Sequence, residues 1–90
     1  MKFVLNGCFG GFSLSDEAYK FFGLASSHSD INRQNPLLIE KVEQNSEWVS
    51  GDCAELYVVE VPDTCTDWEI DEYDGLESLI YVVDGKIHHA

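Results

Sequence analysis

The sequence predicts an α+β fold: a small single domain in which two helices lie on one face of a mostly antiparallel sheet of four to five strands. Helical periodicity is confined to residues 15–45, whereas residues 54–89 show the alternation and tight-turn signals of strands. The chain has 90 residues, 44% of them hydrophobic, which suffices for one modest core. We therefore expect residues 1–90 to form one domain.

The predicted strands lie at the start of the chain and in its second half. "KFVLN" is a short opening strand, and "AELYVVEV" predicts an interior strand because it is apolar on both faces near its middle. "WEIDEY" alternates apolar with acidic residues, so one face should be buried and the other acidic. Asp74-Gly75 and Asp84-Gly85 predict tight turns, the second between "LIYVV" and "KIHH".

Two helices are predicted between the first strand and the later ones. The first begins at Ser15 as its cap and has acidic residues in its first turn, where the helix dipole favours them. Its apolar residues recur at helical spacing and are Ala18, Phe21, Phe22 and Ala25. The second, over residues 35–45, begins with Asn35 as cap and Pro36 at the first helical position. The polar stretch "SSHSDINRQ" between them predicts a loop.

Negative charge is concentrated in the second half of the chain. Residues 1–51 carry six acids and four bases, a formal charge of -2, whereas residues 52–90 carry eleven acids and one base, a charge of -10. Such a surface repels nucleic acid and anionic membranes and attracts basic partners. The charge therefore predicts a protein partner with a basic surface, and neither direct nucleic-acid binding nor membrane binding.

Cysteine spacing and the N-terminus predict the compartment. Cys8, Cys53 and Cys65 cannot all pair within one chain, and none lies in a zinc-binding arrangement. The apolar run after Lys2 is too short for a signal peptide, and no later run is long enough to span a bilayer. We expect a cytoplasmic protein with reduced thiols, no metal and no cofactor.

The glycine-rich stretch "NGCFGGFSLS" is one candidate site. It matches neither the dinucleotide fingerprint nor the P-loop, yet backbone amides and the start of the first helix could converge there on an anion. Arg33, the single arginine, could add a bidentate contact to phosphate or carboxylate. The candidate ligand-binding residues are Gly10, Gly11, Phe12, Ser13, Ser15 and Arg33. Alternatively, the glycines serve a sharp turn and Arg33 pairs with Asp30 or Glu40.

The acidic stretch "DWEIDEYDG" is the other candidate site. It does not fit an EF-hand, and Asp71 and Glu72 cannot act as an acid/base pair because neighbours on a strand point to opposite faces. The stretch is either a solvated sheet face or a docking surface for a basic partner. The candidate partner-binding residues are Glu69, Asp71, Glu72, Tyr73 and Asp74.

Catalysis is not predicted. A cysteine nucleophile would need a histidine, but His28 lies in the polar loop and His88 and His89 lie at the chain end. Trp48, Trp68 and Tyr73 could anchor an interface, although tryptophan in so small a domain is more often a core residue. The sequence therefore favours a binding protein over an enzyme.

The stretches "NGCFGGFSLSDEA", "RQNPLLIEKVE" and "VEVPDTCTDWEIDEYDG" resemble a family of small, functionally uncharacterised proteins carried by tailed phages and prophages. The resemblance spans Phe3 to about Glu77 and brings no known catalytic or binding residue. It implies a context in which small acidic accessory proteins bind and disable host factors, including CRISPR and other defence systems.

Two functions follow as expectations. The first is a phage-encoded inhibitor that places its acidic face on a basic surface of a bacterial host protein, as a nucleic-acid mimic would. The second is a small-ligand binder, such as a sponge for a nucleotide signal, that uses the glycine-rich loop and Arg33. Homo-oligomer formation through an open sheet edge stays an alternative role.

Overall fold

The computed structural model describes residues 1–24 and 31–90, and seven helices and strands lie in these two ranges. They are strand β1 (Lys2–Asn6), helix α1 (Asp16–Phe21), helix α2 (Pro36–Val49), and strands β2 (Leu56–Glu60), β3 (Asp67–Tyr73), β4 (Leu76–Val83) and β5 (Lys86–His89). Every strand pairing is antiparallel. The predicted α+β class is confirmed.

The five strands form two sheets. β1 pairs with β2, and a separate sheet has the order β3-β4-β5. Successive residues of β1 point to opposite faces: Val4 belongs to the apolar cluster with the helices, whereas Phe3 and Leu5 pack with Leu79 of β4. The two-stranded sheet thus lies between a helical layer and the three-stranded sheet.

This layering corrects the prediction that "AELYVVEV" is an interior strand. In residues 1–24 and 31–90, β2 pairs with β1 alone, so it is an edge strand by its hydrogen bonds. Its residues are nevertheless apolar on both faces because Leu56 and Val58 pack towards the helices, while Val59 packs towards the three-stranded sheet. Burial on two faces indicates layers above and below a strand, and does not by itself indicate neighbours on both edges.

The helices differ from their predicted lengths. α1 ends at Phe21 and is followed by Gly23 with φ +70, so the predicted helix is shorter here, and Ala25 lies outside the described residues. α2 continues beyond Asn45, which has a non-helical backbone. The Asn45 side chain accepts a hydrogen bond from the Trp48 N–H at 3.2 Å and so begins a further helical turn.

Both predicted Asp-Gly turns are present. Asp74 and Gly75 have φ values of 52 and 91, and Asp84 and Gly85 have values of 54 and 73. Two consecutive residues with positive φ are typical of the two-residue hairpin turn. The turns fix the register of the three-stranded sheet, in which Asp71 lies opposite Ser78.

Candidate functional site

The glycine-rich loop after β1 depends on close backbone packing. A Cβ atom on Gly10 would lie 1.9 Å from the carbonyl oxygen of Cys53, and one on Gly75 would lie 2.3 Å from the nitrogen of Gly11. Both distances are far below van der Waals contact, so no other residue fits without a backbone shift. The glycines allow the loop to pack against residue 53 on one side and against the β3–β4 turn on the other.

Asn6 holds this loop from the inside. Its buried side-chain amide donates to the carbonyl oxygens of Cys8 at 2.6 Å and Gly75 at 2.7 Å, and its oxygen accepts from the Glu55 N–H at 2.9 Å. One side chain therefore joins β1 to the loop, the β3–β4 turn and the segment before β2. The sequence analysis missed Asn6, although a polar residue that ends an apolar strand was a usable signal.

Arg33 is bound by Glu77. The guanidinium donates to the two carboxylate oxygens at 2.6 and 2.9 Å, and it lies 3.5 Å from the centroid of the Phe12 ring. The Glu77 carboxylate also accepts the Asn6 N–H at 2.9 Å, and its side chain is only 8% exposed. The charge of the single arginine is thus matched within the protein and is not directed at a ligand.

Sequence reasoning missed Glu77 as the partner of Arg33. Of the two residues it offered instead, Asp30 lies outside the described residues and Glu40 accepts from the Gln44 amide at 3.3 Å. The usable signal was the position of Glu77 in β4, where it shares the inward face with the fully buried Leu79. A carboxylate on a buried face requires a cation or hydrogen-bond donors.

The two candidate serines have structural partners. The Ser15 hydroxyl accepts from the Ala18 N–H at 3.1 Å, which caps α1, and donates to the Trp48 carbonyl at 2.6 Å. The Ser13 carbonyl accepts from the Gly51 N–H at 3.0 Å. Both residues therefore join the start of α1 to the end of α2.

Replacement of Ser15 tests this assignment. We expect Ser15→Ala to lower the free energy of unfolding by about 1 to 2 kcal/mol, because α1 loses its cap and the Trp48 carbonyl loses a donor. Ser15→Thr keeps both the capping acceptor and the hydroxyl donor and should lose less. Urea denaturation followed by circular dichroism measures both, and equal losses would contradict the capping role.

The hollow beside the glycine-rich loop is acidic. It has a volume of about 520 Å³ and is lined by Phe9, Gly10, Gly11, Glu72, Asp74 and Gly75. Two carboxylates at this hollow repel a phosphate group. Of the six predicted ligand-binding residues, only Gly10 and Gly11 line it, so the part of the chain that the structure describes does not assemble them into one anion site.

The five predicted partner-binding residues lie together at β3 and the turn after it, and all are exposed. They do not share one face. Glu69, Asp71 and Tyr73 alternate along the face of β3 that is remote from β1 and β2, whereas Glu72 has the opposite parity. Asp74 occupies the first position of the β3–β4 turn.

The remote face of the three-stranded sheet, which we call the outer face, combines acidic and apolar residues. Register places Glu69 opposite Ile80 and Val82 opposite Ile87, and Ile87 is 68% exposed. An open depression of about 360 Å³ lies here, lined by Asp67, Trp68, Glu69, Ile80, Val82 and Ile87. Neither described helix packs on this face, since their apolar residues join the cluster on the far side of β1 and β2. An exposed apolar patch of this kind is typical of a docking surface.

The inner face of the same sheet is largely buried. Trp68 packs edge to face on Phe3, with ring centroids 4.7 Å apart, and Ile70 packs on the cluster formed with Leu79. Trp68 keeps 41% of its surface exposed. Trp48 likewise packs against Phe21, at 5.8 Å between ring centroids, so both tryptophans are core-edge residues.

A second acidic hollow lies at the end of α2. It has a volume of about 670 Å³, and its lining includes Glu47, Asp52, Glu55 and Tyr57. No lysine, arginine or histidine lines it among the described residues. Burial, and then the charge of Glu77, raise the pKa of the Tyr57 hydroxyl above its usual value, so this group stays protonated at neutral pH.

Cysteine and histidine residues form no cluster in residues 1–24 and 31–90. Cys8, Cys53 and Cys65 are free thiols, and the described residues contain no group of three metal-ligating side chains. His88 stacks on Tyr81 with ring centroids 5.3 Å apart. His28 lies outside the described residues.

Within the described residues, neither helix has the length and apolar character needed to cross a membrane. The fold and its surface define a small α+β protein with an uncovered, acidic and apolar sheet face. Comparisons with protein-family models, curated proteins and solved structures found no match. The resemblance to phage proteins therefore stays an expectation from the sequence.

Proposed function

We propose that this protein is a phage-encoded binding protein without catalytic activity, which inhibits a bacterial protein by placing its outer face on a basic surface of that protein. The observation that carries the proposal is the composition of this face. It presents the carboxylates of Asp67, Glu69 and Asp71 beside the apolar side chains of Ile80 and Ile87.

The two kinds of residue have different roles in binding. Desolvation of the apolar side chains supplies affinity, because apolar area removed from water is favourable wherever it is buried. The carboxylates select a basic partner, accelerate encounter and disfavour acidic proteins. They recur at about 6.8 Å along β3, so they present a regular row of negative charge, as a nucleic-acid backbone does.

Ion pairs elsewhere on the molecule support the outer face as the place where the partner binds. Asp63 is paired with the N-terminal amine at 2.6 Å and Glu77 with Arg33, so neither contributes a free negative charge. The N-terminal amine lowers the pKa of the Asp63 carboxyl through its hydrogen bond and its charge. The acids of the outer face have no cationic partner among the described residues.

Charge reversal tests the proposal. The protein is immobilised, host proteins that bind at low salt and are released at high salt are purified, and the affinity of each is then measured directly. We expect Glu69→Lys with Asp71→Lys to weaken the binding by about tenfold or more, because attraction becomes repulsion. Glu40→Lys with Glu47→Lys on α2 is the control with the same net charge, and it should bind almost as well as the unaltered protein.

The control variant also gives the results that would contradict docking through the outer face. If both double variants weaken binding equally, net charge alone drives association. If only the α2 variant loses affinity, the interface lies at the hollow lined by Glu47. A bound nucleotide released from the purified protein would favour the small-ligand function instead.

A further inference from the structure

Among the described residues, the longest strand edge that the two sheets leave open is that of β3. The outer edge of β1 is covered because the Val4 N–H donates to the Arg33 carbonyl at 2.8 Å. On the outer edge of β2, the Leu56 N–H donates to the Ser50 hydroxyl at 3.0 Å and its carbonyl accepts from the Ser46 hydroxyl, so the open part of this edge is short and lies at Val58 and Glu60. β5 has only four residues. β3 has seven, and among the described residues it pairs with β4 alone.

Register identifies the backbone groups at this open edge. Leu79 exchanges two hydrogen bonds with the last residue of the chain, at 3.1 and 2.8 Å, so its backbone groups face β5. Backbone groups alternate between the two edges of a strand, so the N–H and C=O of Ile80 face β3. The register partner of Ile80 is Glu69, whose own N–H and C=O therefore face β4. Ile70 and Glu72 each lie an odd number of residues from Glu69, so their N–H and C=O groups point to the open edge.

β3 lacks the backbone devices that protect edges in natural proteins, and only its acidic side chains disfavour pairing with a like strand. It contains no proline, glycine or lysine, and only the Trp68 N–H has a local acceptor, a carboxylate oxygen of Asp67 at 2.9 Å. Antiparallel pairing of β3 with a second copy of itself would place Glu69 opposite Asp71, with like charges in contact. The same acids favour an incoming strand that carries lysine or arginine at alternate positions.

We propose that β3 accepts an extended basic segment of the partner protein as an added antiparallel strand. The inference rests on the proposed function and specifies the partner as a chain with alternating cationic and apolar residues. Its cationic side chains would lie on the outer face opposite Asp67, Glu69 and Asp71. Its apolar side chains would lie on the inner side beside Trp68 and Ile70. The backbone bonds supply affinity, and the side-chain alternation supplies specificity.

A synthetic peptide tests this inference without knowledge of the partner. The probe has seven residues to match β3, with lysine at the odd and valine at the even positions. When the lysines lie opposite the outer-face acids, the valines lie opposite Ile70 and Glu72, and the valine N–H groups face the backbone of these two residues. At ten times the dissociation constant, we expect amide hydrogen exchange at Ile70 and Glu72 to slow by about tenfold. A peptide with glutamate in place of lysine should leave exchange unchanged.

Two controls separate strand addition from charge attraction. The basic peptide N-methylated at its valines keeps every charge but cannot donate to the edge, and it should bind at least about tenfold more weakly. In the protein, Glu72→Pro and Glu72→Gln lose the same carboxylate, but only proline removes the edge N–H. We expect Glu72→Pro alone to abolish the exchange protection at Ile70.

The outcomes distinguish this inference from the proposed function. Equal binding of the methylated and unmethylated peptides, or equal behaviour of the two Glu72 variants, would overturn strand addition and leave docking through the outer face intact. Absence of any protection by the basic peptide at millimolar concentration would also overturn it. Loss of host-protein binding on reversal of Glu69 and Asp71, with Glu72→Pro still binding, would support the face and exclude the edge.

Discussion

Gly75→Ala should lower the free energy of unfolding by about 3 kcal/mol or more. Gly75 has φ +91, where an L-residue is strained, and its new Cβ would lie 2.3 Å from the Gly11 nitrogen and 2.6 Å from the Phe9 carbonyl oxygen. Those atoms are backbone, so they cannot move away as a side-chain tip would. Urea denaturation measures the loss.

Gly85→Ala is the matched control. Gly85 is the second residue of the other Asp-Gly turn, with φ +73, but nothing lies within 4 Å of a Cβ atom placed there. Its replacement should cost only the left-handed backbone strain, about 1 kcal/mol. The difference between the two variants therefore measures the contact between the turn and the glycine-rich loop. Equal losses would show that this contact contributes nothing.

These two glycines show what a sequence can reveal about a turn. The pair Asp74-Gly75 predicts its own backbone, because positive φ at two successive residues is a local requirement. The sequence does not predict that Gly11 packs on Gly75, since a contact across more than sixty residues depends on how the layers stack. Of the two alternatives for the glycine-rich loop, the structure shows the sharp turn, with Gly11 at φ 91, but the surface against which the loop packs was not predicted.

The acidic face of β3 was predictable for the same local reason. Alternation along β3 places Glu69 and Asp71 on one face and Trp68 on the other, and the structure agrees. The apolar half of the outer face, Ile80 and Ile87, was not predicted, because it requires the register of three strands. The predicted hairpin turns contained enough information to derive that register.

The number of sheets could not be derived from alternation. Alternation predicts which face of a strand is buried, as in β4, but it does not say which strand lies beside it. β1 is buried on both faces because two different layers cover it, the helices on the side of Val4 and β4 on the side of Phe3. Its fully buried residues can equally indicate a central strand of one larger sheet.

The ion pair of Arg33 and Glu77 leads to the second large effect. We expect Arg33→Met to lower the free energy of unfolding by about 3 kcal/mol, because the Glu77 carboxylate, only 8% exposed, would lose both guanidinium donors. The thioether still covers the Phe12 ring, so lost packing contributes little. Thermal and urea denaturation give the loss.

The double variant Arg33→Met with Glu77→Gln separates charge from packing. It removes the buried charge, while the glutamine oxygen still accepts the Asn6 N–H, so we expect it to recover about 1 to 2 kcal/mol of the loss. Lys2→Met breaks an exposed pair with Glu43 and should leave stability almost unchanged. If Arg33→Met is as mild as Lys2→Met, the guanidinium is not needed to compensate Glu77. Arg33 would then be free to contact a ligand, and the small-ligand function would regain support over docking through the outer face.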